Sequence, residues 1–128
     1  MTLNDQELDL LLNLLETRTD LSVAELDGVG HALAFLLKDR FDKRRGTPEN
    51  LGNTQEAIHI ADEAYPNWVI SLHGRANDRD GHWRCSLRET DAFDEDSMIG
   101  AGRSPALAQA ILAAVMRLAM MERNQSAP

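Results

Sequence analysis

From Trp68 onward, apolar and polar positions alternate with a period of two. Trp68, Ile70 and Leu72 alternate with Val69, Ser71 and His73; Trp83, Cys85 and Leu87 alternate with Arg84, Ser86 and Arg88. Successive side chains of a strand point to opposite faces, so each run predicts a strand with one buried face. The Gly- and Asp-bearing stretch Gly74 to Gly81 joins them, which predicts a β-hairpin with a long connection. Trp68, Ile70, Leu72, Trp83, Cys85 and Leu87 are its expected core anchors. A short third strand is expected over Ser97 to Ala101.

The pattern then becomes helical. Ser104 reads as an N-cap with Pro105 at the first helical position, a favoured pairing. Leu107, Ala110, Ile111, Ala114, Val115 and Leu118 form one stripe. Leu112, Met116 and Met120 are apolar on other sides, and Arg117 is the only charged residue between Ala106 and Met121. A helix apolar nearly all round is buried on more than one side. One side can cover the sheet; the other calls for the N-terminal helices or for another subunit. Leu112, Met116 and Met120 are the candidate surface for that second contact.

Upstream, three more helices are legible. Asn4 and Glu7 mark the first start, and Leu8, Leu11, Leu12 and Leu15 line one face up to about Thr17–Asp20. Ser22 and Glu25 form a capping box, with Leu21 and Leu26 placed as a hydrophobic staple. That second helix is expected to run to Gly46, with Lys43, Arg44 and Arg45 in its last turn against the helix dipole. Gly28 and Gly30 lie inside it, either to permit close packing or to break it early. Residues 47–53 (TPENLGN) read as a linker. Thr54 then caps a shorter helix whose apolar side is Ala57, Ile58, Ala61, Ala64 and Tyr65, ended by Pro66.

The expected fold class is therefore α+β. A helical hairpin over residues 1–46 and a linker over 47–53 precede an α-β-β-(β)-α unit over 54–123, in which a small antiparallel sheet packs on the last helix. Residues 124–128 read as a disordered tail.

Composition narrows the function classes. The 128 residues are 43% hydrophobic, enough for a core, and the formal net charge is -8. Residues 1–50 hold ten acids against six bases and residues 51–128 eleven against seven, so the excess is spread evenly. Direct nucleic-acid binding and adhesion to anionic membranes both need clustered Lys and Arg and are disfavoured. No apolar run reaches the roughly 18–20 residues of a membrane span. The start MTLNDQELDL has acids where a signal peptide carries bases. A cytoplasmic protein is expected, in the host cytoplasm if it is viral. The single cysteine, Cys85, allows no intramolecular disulfide.

Candidate chemistry is sparse, and no catalytic, metal or cofactor site is expected. His59, His73, His82 and Cys85 lack a recognised ligand spacing. Cys85 shares the alternation phase of Trp83 and Leu87, which reads as core. Asn77-Asp78-Arg79-Asp80-Gly81 echoes a calcium loop but lacks its distal Glu, and reads as a turn. Glu89, Asp91, Asp94, Glu95 and Asp96 place five acids within eight residues. They read as a solvated loop or as an interaction surface mimicking nucleic-acid phosphate. Arg84 and Arg88 fall on the outer hairpin face, where pairing with nearby acids is the expectation.

Two resemblances follow from these residues. The element order from Thr54, with Gly100-Ala101-Gly102-Arg103-Ser104 leading into an Ala-rich helix, is similar to double-stranded RNA-binding domains. The positions of their phosphate-gripping lysines hold Pro105, Ala106 and Gln109, so only the topology carries over. Trp68, Trp83-Arg84-Cys85, an acidic loop, and Ser104-Pro105-Ala106-Leu107-Ala108 with Ile111 and Ala114 resemble the "ABA sandwich" domain of bacteriophage and prophage proteins, over about residues 68–118. That resemblance implies a phage or prophage origin and no catalytic residues. The expected function is a non-catalytic interaction protein, homo-oligomeric and acting by protein–protein binding. The alternative is an acidic, anti-CRISPR-like inhibitor of a host defence complex; a small-molecule enzyme ranks last.

Overall fold

The computed structural model describes residues 3–74, 83–89 and 98–126. Five α-helices are present among them: α1 (Asp5–Thr17), α2 (Val23–Leu37), α3 (Pro48–Leu51), α4 (Thr54–Ala64) and α5 (Leu107–Ser126). The strands β1 (Val69–His73), β2 (Trp83–Arg88) and β3 (Ile99–Ser104) form one antiparallel sheet in the order β1-β2-β3. The fold is α+β. No helix among the described residues is long and apolar enough to cross a membrane.

Local signals place most of the boundaries. The Asn4 side chain accepts from the Glu7 amide, and Ser22 and Glu25 form both bonds of the capping box. Asn53, one residue before the expected Thr54, caps α4 by accepting from the Glu56 amide. The buried side of α4 includes Ile60, whereas Ile58 is exposed.

Four boundaries differ from expectation. α2 stops at Leu37 because Lys38 takes a positive φ of 54°, and short 3-10 turns at Lys38–Arg40 and Lys43–Arg45 bring the chain back across α2. The Gly46 carbonyl then lies on Gly30, where a Cβ would come within 2.6 Å of its oxygen. Gly30 therefore serves close packing rather than breaking the helix. Residues 47–53 do not form a solvated linker: they contain α3, and Leu51 is fully buried. β3 runs through Ser104, so that residue ends a strand instead of capping a helix, and its hydroxyl accepts from the Ala106 amide two residues on. At the far end, α5 continues to Ser126 through part of the expected tail.

α5 is the centre of the molecule. Every residue from Ala108 to Met116 is buried, as are Leu118 and Ala119. β3 and β2 pack along one side of it, and α4, α1 and α2 along the others. One apolar cluster accordingly runs from Leu3 to Ala119 through every layer. Leu112 and Met116 are wholly buried within the chain, and Met120 packs against the same core. The second layer over α5 is thus supplied by the N-terminal helices of the same chain. Leu112 and Met116 are not exposed subunit contacts.

The close fit of α5 on β3 has a backbone cause. A Cβ at Gly102 would lie 2.4 Å from both the Ala110 carbonyl oxygen and the Ala114 nitrogen; one at Gly100 would lie 2.6 Å from Leu118 Cβ. The alternating glycines remove side chains from one face of the strand, and small alanines remove them from the helix. The two backbones then approach to a separation that larger residues forbid.

Candidate functional site

The sheet has two edges, and the sequence treats them differently. At the β3 edge, Glu16 of α1 accepts from the Arg103 amide at 3.2 Å. Arg117 of α5 donates to the Ala101 carbonyl, and its two terminal nitrogens reach the two Glu16 oxygens at 2.9 and 2.6 Å. This fork occupies backbone groups that would otherwise offer a pairing template. Burial acts to raise the Glu16 carboxyl, but the hydrogen bond and charge of Arg117 outweigh it and hold the group below its ordinary 4.5. Nearby, the buried Gln109 amide donates to the Leu15 carbonyl at 2.9 Å, to the Arg18 carbonyl, and to Ser104 Oγ at 3.3 Å. It satisfies carbonyls at the C-terminus of α1 that the helix leaves unpaired.

At the β1 edge, among the described residues, no element pairs with the strand on the side away from β2. α5 lies along β3 and β2 and barely reaches β1, so no β1 residue is fully buried. The six hairpin anchors divide accordingly. Cys85 and Leu87 are buried under α5, Trp68 and Ile70 are half-buried, and Leu72 and Trp83 are 37% and 38% exposed. The Trp83 indole lies over Gly74, where a Cβ would come within 2.4 Å of the ring. Trp68 is braced by Tyr65, with ring centroids 5.1 Å apart. β1 carries neither lysine, arginine nor carboxylate, the residues that usually blunt an exposed edge.

The outer face of the sheet carries a row of two arginines and a histidine. Register places His73 opposite Arg84 and Arg84 opposite Arg103. The next row is Ser71, Ser86 and Ala101, and the third is Val69, Arg88 and Ile99. His73, Arg84 and Arg103 are exposed. A groove of about 500 Å³ lies over the first two rows, bordered by the Glu16–Arg117 pair. The expectation that Arg84 and Arg88 pair with acids is not met among the described residues, where neither makes an ion pair.

The remaining expected features lie elsewhere. Glu89 is exposed just beyond β2, while Asp91, Asp94, Glu95 and Asp96 lie outside the described residues, as do His82 and the Asn77–Gly81 turn. His59 and His73 are exposed on separate elements, and the described residues contain no group of three or more His, Cys, Asp or Glu able to hold a metal. Burial pushes the Cys85 thiol up to about 11, which keeps it protonated at neutral pH. A further cluster ties the end of α5 to the middle of the chain: Tyr65 donates to Glu122 at 2.6 Å, and Arg40 reaches the same carboxylate at 3.3 Å while stacking over the Tyr65 ring. Burial first, and then the bond to Glu122, raises the Tyr65 hydroxyl above its ordinary 10.0.

Sequence reasoning passed over Glu16, and it named Gln109, Arg103 and His73 without these roles. One signal pointed to Glu16: a lone arginine in an otherwise apolar helix needs a partner. No protein-family model, curated protein or solved structure matches this chain, so the likeness to the phage sandwich domain rests on the residues that carry it.

Proposed function

We propose that the chain is a non-catalytic interaction protein that assembles with a second copy of itself by pairing β1 edge to edge. The observation that carries this reading is the asymmetry of the sheet. The β3 edge is covered by an ion pair, whereas β1 overhangs the helical layer with Leu72 and Trp83 partly exposed. An uncharged, unblunted edge is a template for strand addition.

The β1 sequence suits a two-fold arrangement. Antiparallel pairing centred on Ser71 sets Ile70 opposite Leu72 of the second copy and Val69 opposite its His73. No like charges oppose one another, and the apolar strip on the inner face continues across the joint. A phage or prophage origin belongs to the same reading and is supported by the residue resemblance alone.

Two variants test it. Ser71→Cys puts one new exposed thiol on the symmetry axis, while native Cys85 stays buried. Directly opposed strand residues have Cα atoms about 4.5–5.5 Å apart, within reach of a disulfide. Mild oxidation is expected to give a covalent dimer. Leu72→Lys is expected to turn a self-associating protein into a monomer by sedimentation. A wild-type chain that stays monomeric at high concentration, with no Ser71→Cys cross-link, rules the reading out.

A further inference from the structure

The row His73–Arg84–Arg103 sets two arginines directly opposite each other on the outer face of the sheet. Like charges placed directly opposite in an antiparallel pair destabilise it. Arg84 and Arg103 are directly opposed, and no described carboxylate forms an ion pair with either side chain. Glu16 lines the same groove, but both its oxygens are taken by Arg117 and one also accepts from the Arg103 amide. The chain as a whole has a net charge of -8, so local repulsion here is not a by-product of a basic protein.

We propose that this row and the small-residue row beside it form a binding site for a compact dianionic oxyanion of the phosphate-monoester class. Neighbouring strands place Arg84 and Arg103 directly opposite each other on one face, and both line the groove. Each guanidinium presents a planar fork that matches phosphate oxygens. Ser86 supplies a hydroxyl in the adjacent row, and Ala101 leaves that row low. The groove of about 500 Å³ is of the size that holds small ligands.

The geometry also selects against a polyanion. Two opposed guanidiniums flanked by one histidine span a single phosphate group, not a tract of backbone. The overall negative charge repels a long nucleic acid at a distance, whereas a small dianion loses less. This site is on the outer face and does not depend on β1 pairing.

The test is thermal denaturation and titration of the full chain with inorganic phosphate and with phenyl phosphate, against chloride at matched ionic strength. Both phosphates are expected to raise Tm by several degrees, through preferential binding to the folded state. Arg84→Thr and Arg103→Thr are each expected to weaken phosphate binding by at least about tenfold, the worth of one charge-assisted hydrogen bond. Without phosphate, each variant is expected to keep or exceed the wild-type Tm, because the like-charge opposition is gone and threonine suits a strand. A purely structural role for these arginines predicts the reverse. An equal response to chloride and phosphate, or an undiminished response in both variants, overturns the proposal. Repeating the titration on Leu72→Lys separates this site from self-association, since phosphate binding is expected to persist there.

Discussion

β3 and β1 flank the same central strand, yet one is held from three directions and the other from one. β3 has α5 seated on its glycines, Glu16 and Arg117 on its free backbone, and Gln109 below its last residue. β1 has β2 beside it and an inner face that α5 scarcely touches. A strand whose backbone groups are occupied and whose inner face is close-packed contributes to stability and offers no edge to a second strand. A strand with an open edge and a partly exposed apolar face has the opposite properties. The difference separates a structural half of the sheet from a half available for recognition.

The contrast can be broken most severely at Gly102. Gly102→Ala drives a Cβ into the α5 backbone, which cannot yield as a side-chain tip would. A loss of about 3 kcal/mol or more is expected in urea denaturation. On the open strand, Leu72→Ala is expected to cost less than about 1 kcal/mol, because Leu72 is already 37% exposed. Comparable losses at the two positions would erase the distinction.

Next in size is the fork at the β3 edge. Arg117→Met leaves a partly buried carboxylate without its cation and is expected to cost about 1–3 kcal/mol. The pH dependence has a definite sign. Glu16 is held below its ordinary value, so its contribution is fully present above pH 4.5 and fades as pH falls through the lower folded value. Glu16→Gln is expected to flatten the acid limb of stability against pH.

Smaller effects belong to Tyr65 and Cys85. Tyr65 titrates later in the folded chain than in the unfolded one, so its contribution holds below pH 10 and is lost as pH rises beyond it. Tyr65→Phe is expected to cost about 1 kcal/mol at neutral pH and to reduce the alkaline loss. Cys85 lies under α5 and is expected to react with thiol reagents only at the rate of local opening. Fast labelling in native buffer would show that β2 is less firmly covered than its burial indicates.

Periodicity and capping residues mark out nearly all the elements. The capping box at Ser22, the alternation through Trp68–Leu72 and Trp83–Leu87, and the apolar run of the last helix depend on neighbours within a few residues. Sequence exposes such features directly. The early stop of α2 at Lys38 was not legible, because the Gly46 carbonyl that packs on Gly30 arrives from sixteen residues downstream. The burial of Leu51 was hidden by the turn-like composition around it.

The candidate site was still less legible. Alternation alone put Arg84 on the outer face, but its alignment with Arg103 and His73 depends on inter-strand register. Register is a relation between distant segments, set by the packing of β3 on α5. The same holds for Glu16 and Arg117, 101 positions apart in the chain and joined at the edge of β3. Sequence by itself determined the α+β class, the hairpin, and the need for a second layer over the last helix, since these follow from local geometry and apolar periodicity. Only the tertiary structure decided that the N-terminal helices supply that layer in cis, that among the described residues the edge of β3 is occupied while that of β1 is not, and that two arginines and a histidine share one row. Each of those outcomes depends on long-range packing, which places groups together without leaving a mark on the residues between them.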